Sequence, residues 1–438
     1  MKTFRKGGIH PAADKLTADA PITDVTPTSL IRLMLSQSIG APAKCIVKPG
    51  DTVAPGQMIA EAAGFVSAPV HSPVAGTVKR IESVRNPKGL WQESVVIEID
   101  SDASQQPPSQ PRTAKEMNDL SPADIIKEVG EAGIVGLGGA TFPTRVKLSV
   151  PDGKKADFIL LNGAECEPFL TCDDALMRES PEEILKGTLL LMKATSAPKA
   201  IVGIEENKPQ AIKAMRSAAS AYPEISIVVL RKKYPQGSEK QLIEALTGRK
   251  VPPGALPIDV GAIVDNVATA FAVWEAIALR RPLTHRIVTV TGPSLTNGGN
   301  FRAPFGIPFS DLIEVAGGLP EDTGKVISGG PMMGQAAADL SAPTTKGTGG
   351  ILILPESMSE RKEAGPCIRC ANCVSACPMG LEPYLLMLQA QNSLWADTKE
   401  HSAMACLECG CCSYICPAHR PLLDYIKLAK THIRRDKL

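Results

Sequence analysis

The first hundred residues carry short apolar runs broken by Gly and Pro turns: AKCIVKPGDTVAPGQMIAEA, then VSAPVHSPVAGTVKRIESV, then ESVVIEID. Such runs between turn residues predict a small all-β unit over 1–100. Residues 101–115, SDASQQPPSQPRTAK, are polar and Pro-rich and read as a linker. From about residue 120 the period changes. Ser121 as N-cap, Pro122 at the first helical position and Asp124 three residues after the cap predict a helix start. The β-rich runs DFILLN, KAIVGI and ISIVVL then alternate with helical segments such as PEEILKGTLLLMKA and PQAIKAMRSAASAY. Alternation of this kind predicts an α/β layer on a mainly parallel sheet, here over 116–282. The carboxyl ends of parallel strands share one edge, so NGAECEP (162–168), EENK (205–208) and KKYPQGSEK (232–240) are expected together there, where ligands bind. Residues 283–355 read as two strands around a Gly-rich turn, then a helix from Ser310 to a stop at Gly317. The last segment, 356–438, holds most of the cysteines and closes with a basic amphipathic helix, LLDYIKLAKTHIRRDKL, read as a solvated helix in preference to a membrane contact.

Composition narrows the partners. Over 438 residues, Lys+Arg 47 against Asp+Glu 46 leaves a net charge of +1, which gives no basic excess for nucleic acid or anionic lipid. The longest apolar stretch, ATAFAVWEAIALR, is cut by Glu275 and ends at Arg280, so no transmembrane span is expected. MKTFRKGGIHPAADK lacks the apolar centre of a secretory signal, which points to a cytosolic protein. Nine of the 12 cysteines fall between 367 and 416, a crowding that in a large cytosolic chain favours metal over disulfides.

Those cysteines repeat one spacing. CIRCANCVSACP from Cys367 and CLECGCCSYICP from Cys406 both read C-x2-C-x2-C-x3-C-P, the spacing by which bacterial ferredoxins hold 4Fe-4S clusters. Three close thiolates wrap one cluster and the fourth reaches its neighbour. Cys367, Cys370, Cys373 and Cys416 are therefore assigned to one cluster, and Cys377, Cys406, Cys409 and Cys412 to the other. The rival is a pair of zinc sites, but zinc usually takes two cysteine pairs across a long loop. Cys411 stands off the pattern as a packing residue, and Cys45, Cys166 and Cys172 read the same way. Two clusters form a wire that something upstream must feed.

GIVGLGGATFPTRVKL (133–148) is the candidate source. It fails as a dinucleotide fingerprint, because Thr141 stands where the last glycine belongs and no strand leads into it. Gly136, Gly138 and Gly139 permit close approach of backbone to a phosphate or flat ring, and Lys147 can neutralise a phosphate. The same residues also suit an ordinary helix connection. GLGGATFPTRVK, LNGAECEP, YPQGSEKQL and DNVATA fall in the order of four motifs in the FMN- and NADH-binding flavoprotein subunit of respiratory complex I, which they resemble. With FRKGGIHP at the amino end and the twin cysteine motifs at the other, nearly the whole chain resembles the RnfC family, a component of the Rnf electron-transport complexes.

The resemblance implies a multidomain α/β and α+β protein. Its parts would be a barrel-sandwich hybrid like the lipoyl carriers over 1–100, lacking the attachment lysine in GFVSAPVHS; an α/β nucleotide-binding domain; a β-grasp module over 283–355; and an α-helical double-cluster ferredoxin-like domain. It implies FMN at Gly136, Gly138, Lys147, Asn162, Glu165 and Asn266, and NADH at Gly139, Ala140, Phe142, Glu167 and Glu239. Taken singly, each of these has an ordinary alternative as a surface acid, cap, core aromatic or solvated lysine. Ala164, Ser238 and Asp265 depart from the complex I pattern. The implied function is hydride exchange between NAD(H) and FMN, then single electrons through two 4Fe-4S clusters. The setting would be a peripheral subunit at the cytoplasmic face of the bacterial inner membrane, beside partners that include an iron–sulfur subunit. The alternatives are a soluble flavin and iron–sulfur cobalamin reductase, a non-catalytic scaffold and a zinc-stabilised interaction protein.

Overall fold

The structure is a computed structural model and describes residues 1–27, 29–105 and 110–436. Among these, four sheets are formed, and they follow the changes of period along the chain.

The first unit packs two antiparallel sheets face to face. One holds Leu30–Met34, Trp91–Ile99, Gly76–Arg85 and Thr52–Val53; the other holds Lys44–Cys45, Met58–Glu61 and Val70–His71. Inward residues such as Ile31, Leu33, Ile59, Val95 and Ile97 are fully buried, which is the reason these short strands hold together. Residues 1–24, at the start of the expected unit, add no strand to the sheets of this unit and pair with neighbouring ones. Lys2 bridges to Leu230, Ile9 bridges to Tyr234, and Ile22–Asp24 joins the sheet of the third unit beside Gly299–Pro304. Their backbone groups find partners on those two sheets, which no local pattern announces.

Residues 106–109 of the expected linker lie outside the described residues. Its end is anchored: the Arg112 amide donates to the Ala278 carbonyl at 2.8 Å, and the Arg112 guanidinium pairs with Glu128 at 2.7 Å. At Pro122–Glu131, Ser121 and Asp124 form the reciprocal capping box that their spacing predicts.

The α/β sheet is parallel throughout, in the order Ile225–Leu230, Lys199–Glu205, Phe158–Gly163, Ala262–Asn266. The last strand was not expected from pattern, being short and directly followed by the helix Val267–Ala278. In register, Asn162 lies opposite Asn266, and Leu161 opposite Asp265. The helices Pro181–Thr195 and Val267–Ala278 pack so closely that a Cβ at Gly187 would fall 1.8 Å from the Ala270 carbonyl oxygen.

The third unit is a six-stranded mixed sheet that includes His285–Thr291, Gly299–Pro304, Thr323–Ser328 and Gly350–Pro355, with the helix Phe309–Val315 ending before Gly317 at φ +103°. The fourth unit is helical. Asn372–Ala376 and Cys411–Tyr414 follow the two cysteine loops, and Pro383–Gln391 and Leu422–Arg435 brace them. Among the described residues no helix is long and apolar enough to cross a membrane.

Candidate functional site

The carboxyl edge of the parallel sheet gathers the expected segments. Asn162 ends its strand and donates from Nδ2 to the Gly237 carbonyl at 2.8 Å, while its Oδ1 accepts from the Ala164 amide. Gly237 must be small here, since a Cβ would lie 3.2 Å from the Asn162 side chain. Across the sheet, Asn266 caps the following helix through Ala268 and donates to the Asn162 carbonyl at 3.3 Å and to Asp173 at 2.7 Å. Glu165, at φ +46°, accepts from the amides of Asp173 at 2.7 Å and Asp174 at 3.4 Å, so its carboxylate holds the start of the helix Cys172–Glu179. Glu165, Asp173, Asn266 and Asn162 thus form one connected network.

The glycine turn lies over this network. A Cβ at Gly136 would sit 3.9 Å from Lys147 Nζ, and one at Gly138 would sit 3.6 Å from the Asn266 side chain. Gly139 has φ +104°, and a Cβ there would meet nothing within 4 Å. Gly138, Gly139 and Ala140 are exposed and Phe142 half-buried. Lys147 Nζ donates to the Val264 carbonyl at 2.7 Å and faces Asp265 at 3.5 Å. Asp265 is fully buried with neither oxygen hydrogen-bonded, and burial raises its pKa against the opposing pull of Lys147. The exposed Glu239 begins Glu239–Thr247 within electrostatic reach of Lys147 and Asp265. An open glycine cradle and a lysine paired with a buried carboxylate at the strand ends fit a phosphate-bearing, hydrogen-bonding flat ligand.

Glu167 is set apart from the other expected nucleotide residues. Its oxygens accept from the Met332 amide at 3.1 Å, the Met333 amide at 2.9 Å and the Tyr234 hydroxyl at 3.4 Å. It therefore ties the 165–170 loop to the third unit. Lys15 was not predicted at all: its ammonium donates to the carbonyls of Glu165, Glu167 and Leu170, and burial lowers its pKa. Lys208 adds a bond to the Ala164 carbonyl at 2.8 Å. No local signal marks Lys15, which acts across 150 residues of sequence. Cys166 accepts from the Gly237 amide, and burial pushes its thiol up to about 12, which leaves no thiolate for nucleophilic work. Cys172 is buried and Cys45 half-buried.

The cysteine loops show how the repeated spacing folds. Arg369 and Ala371 in the first loop, and Glu408 and Gly410 in the second, are all left-handed, with φ of 58°, 59°, 60° and 78°. Alternation of this kind turns successive amides inward, as in an anion-binding nest. The Glu408 amide points at Cys406 Sγ at 3.3 Å, and the Leu381 amide at Cys377 Sγ at 3.4 Å. Cys377, Cys406, Cys409, Cys411 and Cys412 line one concavity, although Cys377 belongs to the other motif. Cys373 and Cys416 pack in one apolar group with Met387 and Leu422, while Cys367 and Cys370 are exposed. All twelve cysteines are free thiols. Thiols of both motifs around one concavity, with amides aimed at two of the sulfurs, fit a 4Fe-4S cluster. Cys411 is buried against Tyr234, as a packing residue should be.

The two sites meet. The Tyr234 hydroxyl, which reaches Glu167, also donates to the Cys409 carbonyl at 2.9 Å, and Gln241 donates to the Pro378 carbonyl at 3.4 Å.

Comparison with known proteins follows this division. Residues 2–102 match the RnfC barrel sandwich hybrid domain, 129–275 the Nuo51 FMN-binding domain, 287–336 the SLBB domain and 359–417 the 4Fe-4S dicluster domain. The chain is 44% identical to the C component of the Na(+)-translocating ferredoxin:NAD(+) oxidoreductase complex of Acetobacterium woodii, over 98% of this chain and 96% of that one. It is 41% identical to the C component of the proton-translocating ferredoxin:NAD(+) oxidoreductase complex of Clostridium ljungdahlii, over 99% and 94%. A solved NAD+-reducing [NiFe]-hydrogenase in the H2-reduced state shares the fold over 72% of this chain and 62% of that one, with a TM-score of 0.52 at 22% identity.

Proposed function

The chain belongs to the RnfC family of the ion-translocating ferredoxin:NAD(+) oxidoreductase complexes, and from that premise we propose how its residues divide the work. It is an electron-transfer subunit with FMN and two 4Fe-4S clusters, within a multi-subunit complex. When bound, these groups supply hydride exchange with the nicotinamide and single-electron transfer.

The residues do the binding and spacing. Gly136, Gly138 and Lys147 would receive the flavin phosphate, Asn162 and Asn266 brace the strand ends beneath it through Gly237, Ala164 and Asp173, and Glu165 holds the floor of the site through the Asp173 amide. Gly139, Ala140, Phe142 and Glu239 line the open side for NAD(H). Glu167 acts there by fixing its loop to Met332 and Met333. Cys377, Cys406, Cys409 and Cys412 hold the inner cluster, and Cys367, Cys370, Cys373 and Cys416 the outer one. No side chain serves as acid or base, since the cofactors carry the bond changes.

One observation carries this reading: the Tyr234 hydroxyl lies between Glu167 of the 165–170 loop and the carbonyl of Cys409, a residue of the cysteine cavity. Exposed Cys367 and Cys370 face outward, where an iron–sulfur partner at the cytoplasmic face of the membrane exchanges electrons with the outer cluster. Two end-to-end relatives are named for different ions, which supports ion movement residing in other subunits. The soluble cobalamin reductase and the scaffold are not favoured, because the end-to-end match is to the RnfC family.

The test is an anaerobic spectrum with iron, sulfide and flavin assays, before and after NADH. About eight irons, FMN, and bleaching of both flavin and cluster bands by NADH are expected. Iron without flavin would remove the NADH role, and colourless zinc protein would remove the clusters. Co-sedimentation with membranes from the native host, lost when the complex is dispersed in detergent, tests the peripheral location.

A further inference from the structure

The FRKGGIHP segment near the amino end is unexplained by the nucleotide and cluster sites, yet it runs between them. Phe4 and Ile9 are buried. The Ile9 amide donates to the Tyr234 carbonyl and the Tyr234 amide to the Ile9 carbonyl, each at 2.9 Å, which fastens the segment to the α/β unit. One residue earlier, the Gly8 amide donates to the Ala376 carbonyl at 2.9 Å, on the helix that leads into Cys377. Gly7 and Gly8 both lie at positive φ, 65° and 89°. A Cβ at Gly7 would stand 2.5 Å from the carbonyl carbon and oxygen of Cys377. A Cβ at Gly8 would stand 2.9 Å from the Tyr234 carbonyl oxygen. Ile9 packs in one apolar group with Tyr234, Ala376, Cys409 and Cys411.

We propose that the Gly7–Gly8–Ile9 strap is a positioning element for electron transfer: it sets the gap between the nucleotide site and the cavity of Cys377, Cys406, Cys409 and Cys412. The proposal rests on the assignment of flavin and inner cluster above. The strap touches a cluster ligand's backbone on one face and the nucleotide-side Tyr234 backbone on the other, with no side chain at either glycine to widen the contact. Any Cβ at position 7 must displace backbone, because the Cys377 carbonyl has no flexible end to swing away. Electrons pass between fixed centres at a rate set by their separation and orientation, so a backbone shift at position 7 is read directly in the rate of cluster reduction.

The experiment uses the full chain loaded with its cofactors, as wild type, Gly7→Ala, Ile9→Ala and, for comparison, Lys6→Ala at an exposed neighbour. Rapid mixing with NADH is followed separately at the flavin and cluster bands, and amide hydrogen exchange is read at Gly8, Ile9 and Tyr234. Gly7→Ala and Ile9→Ala are expected to bleach flavin within about twofold of wild type while cluster reduction slows several-fold. Exchange at the three amides should rise in both, and Lys6→Ala should match wild type in every reading. Cluster reduction at the wild-type rate in Ile9→Ala, or in a fully loaded Gly7→Ala, would overturn the proposal. If Gly7→Ala loses its clusters, Ile9→Ala decides by the same ratio. Wild-type protein whose flavin band ignores NADH contradicts the functional assignment instead, and strap exchange that still rises in the variants would then leave only a docking role.

Discussion

The two cysteine segments share a spacing and a backbone, yet they end in different surroundings. Both place left-handed residues two and four positions after the first cysteine. The second segment, with Cys377 borrowed from the first, encloses a cavity against the α/β unit. The first leaves Cys367 and Cys370 exposed. Local sequence sets how a loop wraps a cluster, and packing sets whether that cluster faces a neighbour domain or an outside partner.

Replacing one ligand on each side is the most forceful way to break this comparison. Cys409→Ser and Cys370→Ser should each remove about four of about eight irons. Only Cys409→Ser should also lower the thermal midpoint and expose the Tyr234 junction to protease, because Cys409 is buried beside it. Equal melting of the two variants would erase the inner and outer distinction. A ferrous chelator added to the reduced wild type should next release iron in two phases, the faster carrying about half and leaving the Cys377-centred cluster intact. A single phase would mean that both clusters are equally shielded.

Effects on the nucleotide site should be smaller and separable. Lys147→Met removes a charged donor at the glycine cradle and is expected to weaken FMN roughly tenfold, for a loss of about 1.4 kcal/mol, with iron content unchanged. Equilibrium dialysis with FMN measures this, and unchanged affinity would take Lys147 out of the site. The smallest effect is remote from both cysteine segments. Burial, then the nearby Lys346, pushes the His71 imidazole down to about 3 from 6.5. The unfolded chain therefore binds the extra proton first. Stability should decline as pH falls from about 6.5 toward about 3, and His71→Gln should flatten that part of the profile. Denaturant titrations across that range in both proteins measure the slope difference.

Several features were legible because they depend on neighbours in sequence. The capping box of Ser121 and Asp124 and three strands of the parallel sheet follow from short-range spacing. The strand Ala262–Asn266 escaped notice because its apolar run merges into the next helix. Among the candidate site residues, the glycine turn, Lys147, Asn162, Asn266 and Glu165 lie near one another around the ends of adjacent strands. Glu167 differs because Met332 and Met333, far along the chain, supply better-placed donors to its carboxylate.

By itself the sequence determined the cofactor chemistry and the order of the folded units, because thiolate spacing, turn residues and hydrophobic period act over a few residues at a time. Tertiary structure alone decided that residues 1–24 pair with sheets beyond the first two, that Lys15 closes the 165–170 loop, and that Gly7, Ile9 and Tyr234 join the α/β unit to the backbone at Cys377 and Cys409. These are contacts between segments more than a hundred residues apart, fixed by where buried carbonyls and amides find partners once the sheets have formed.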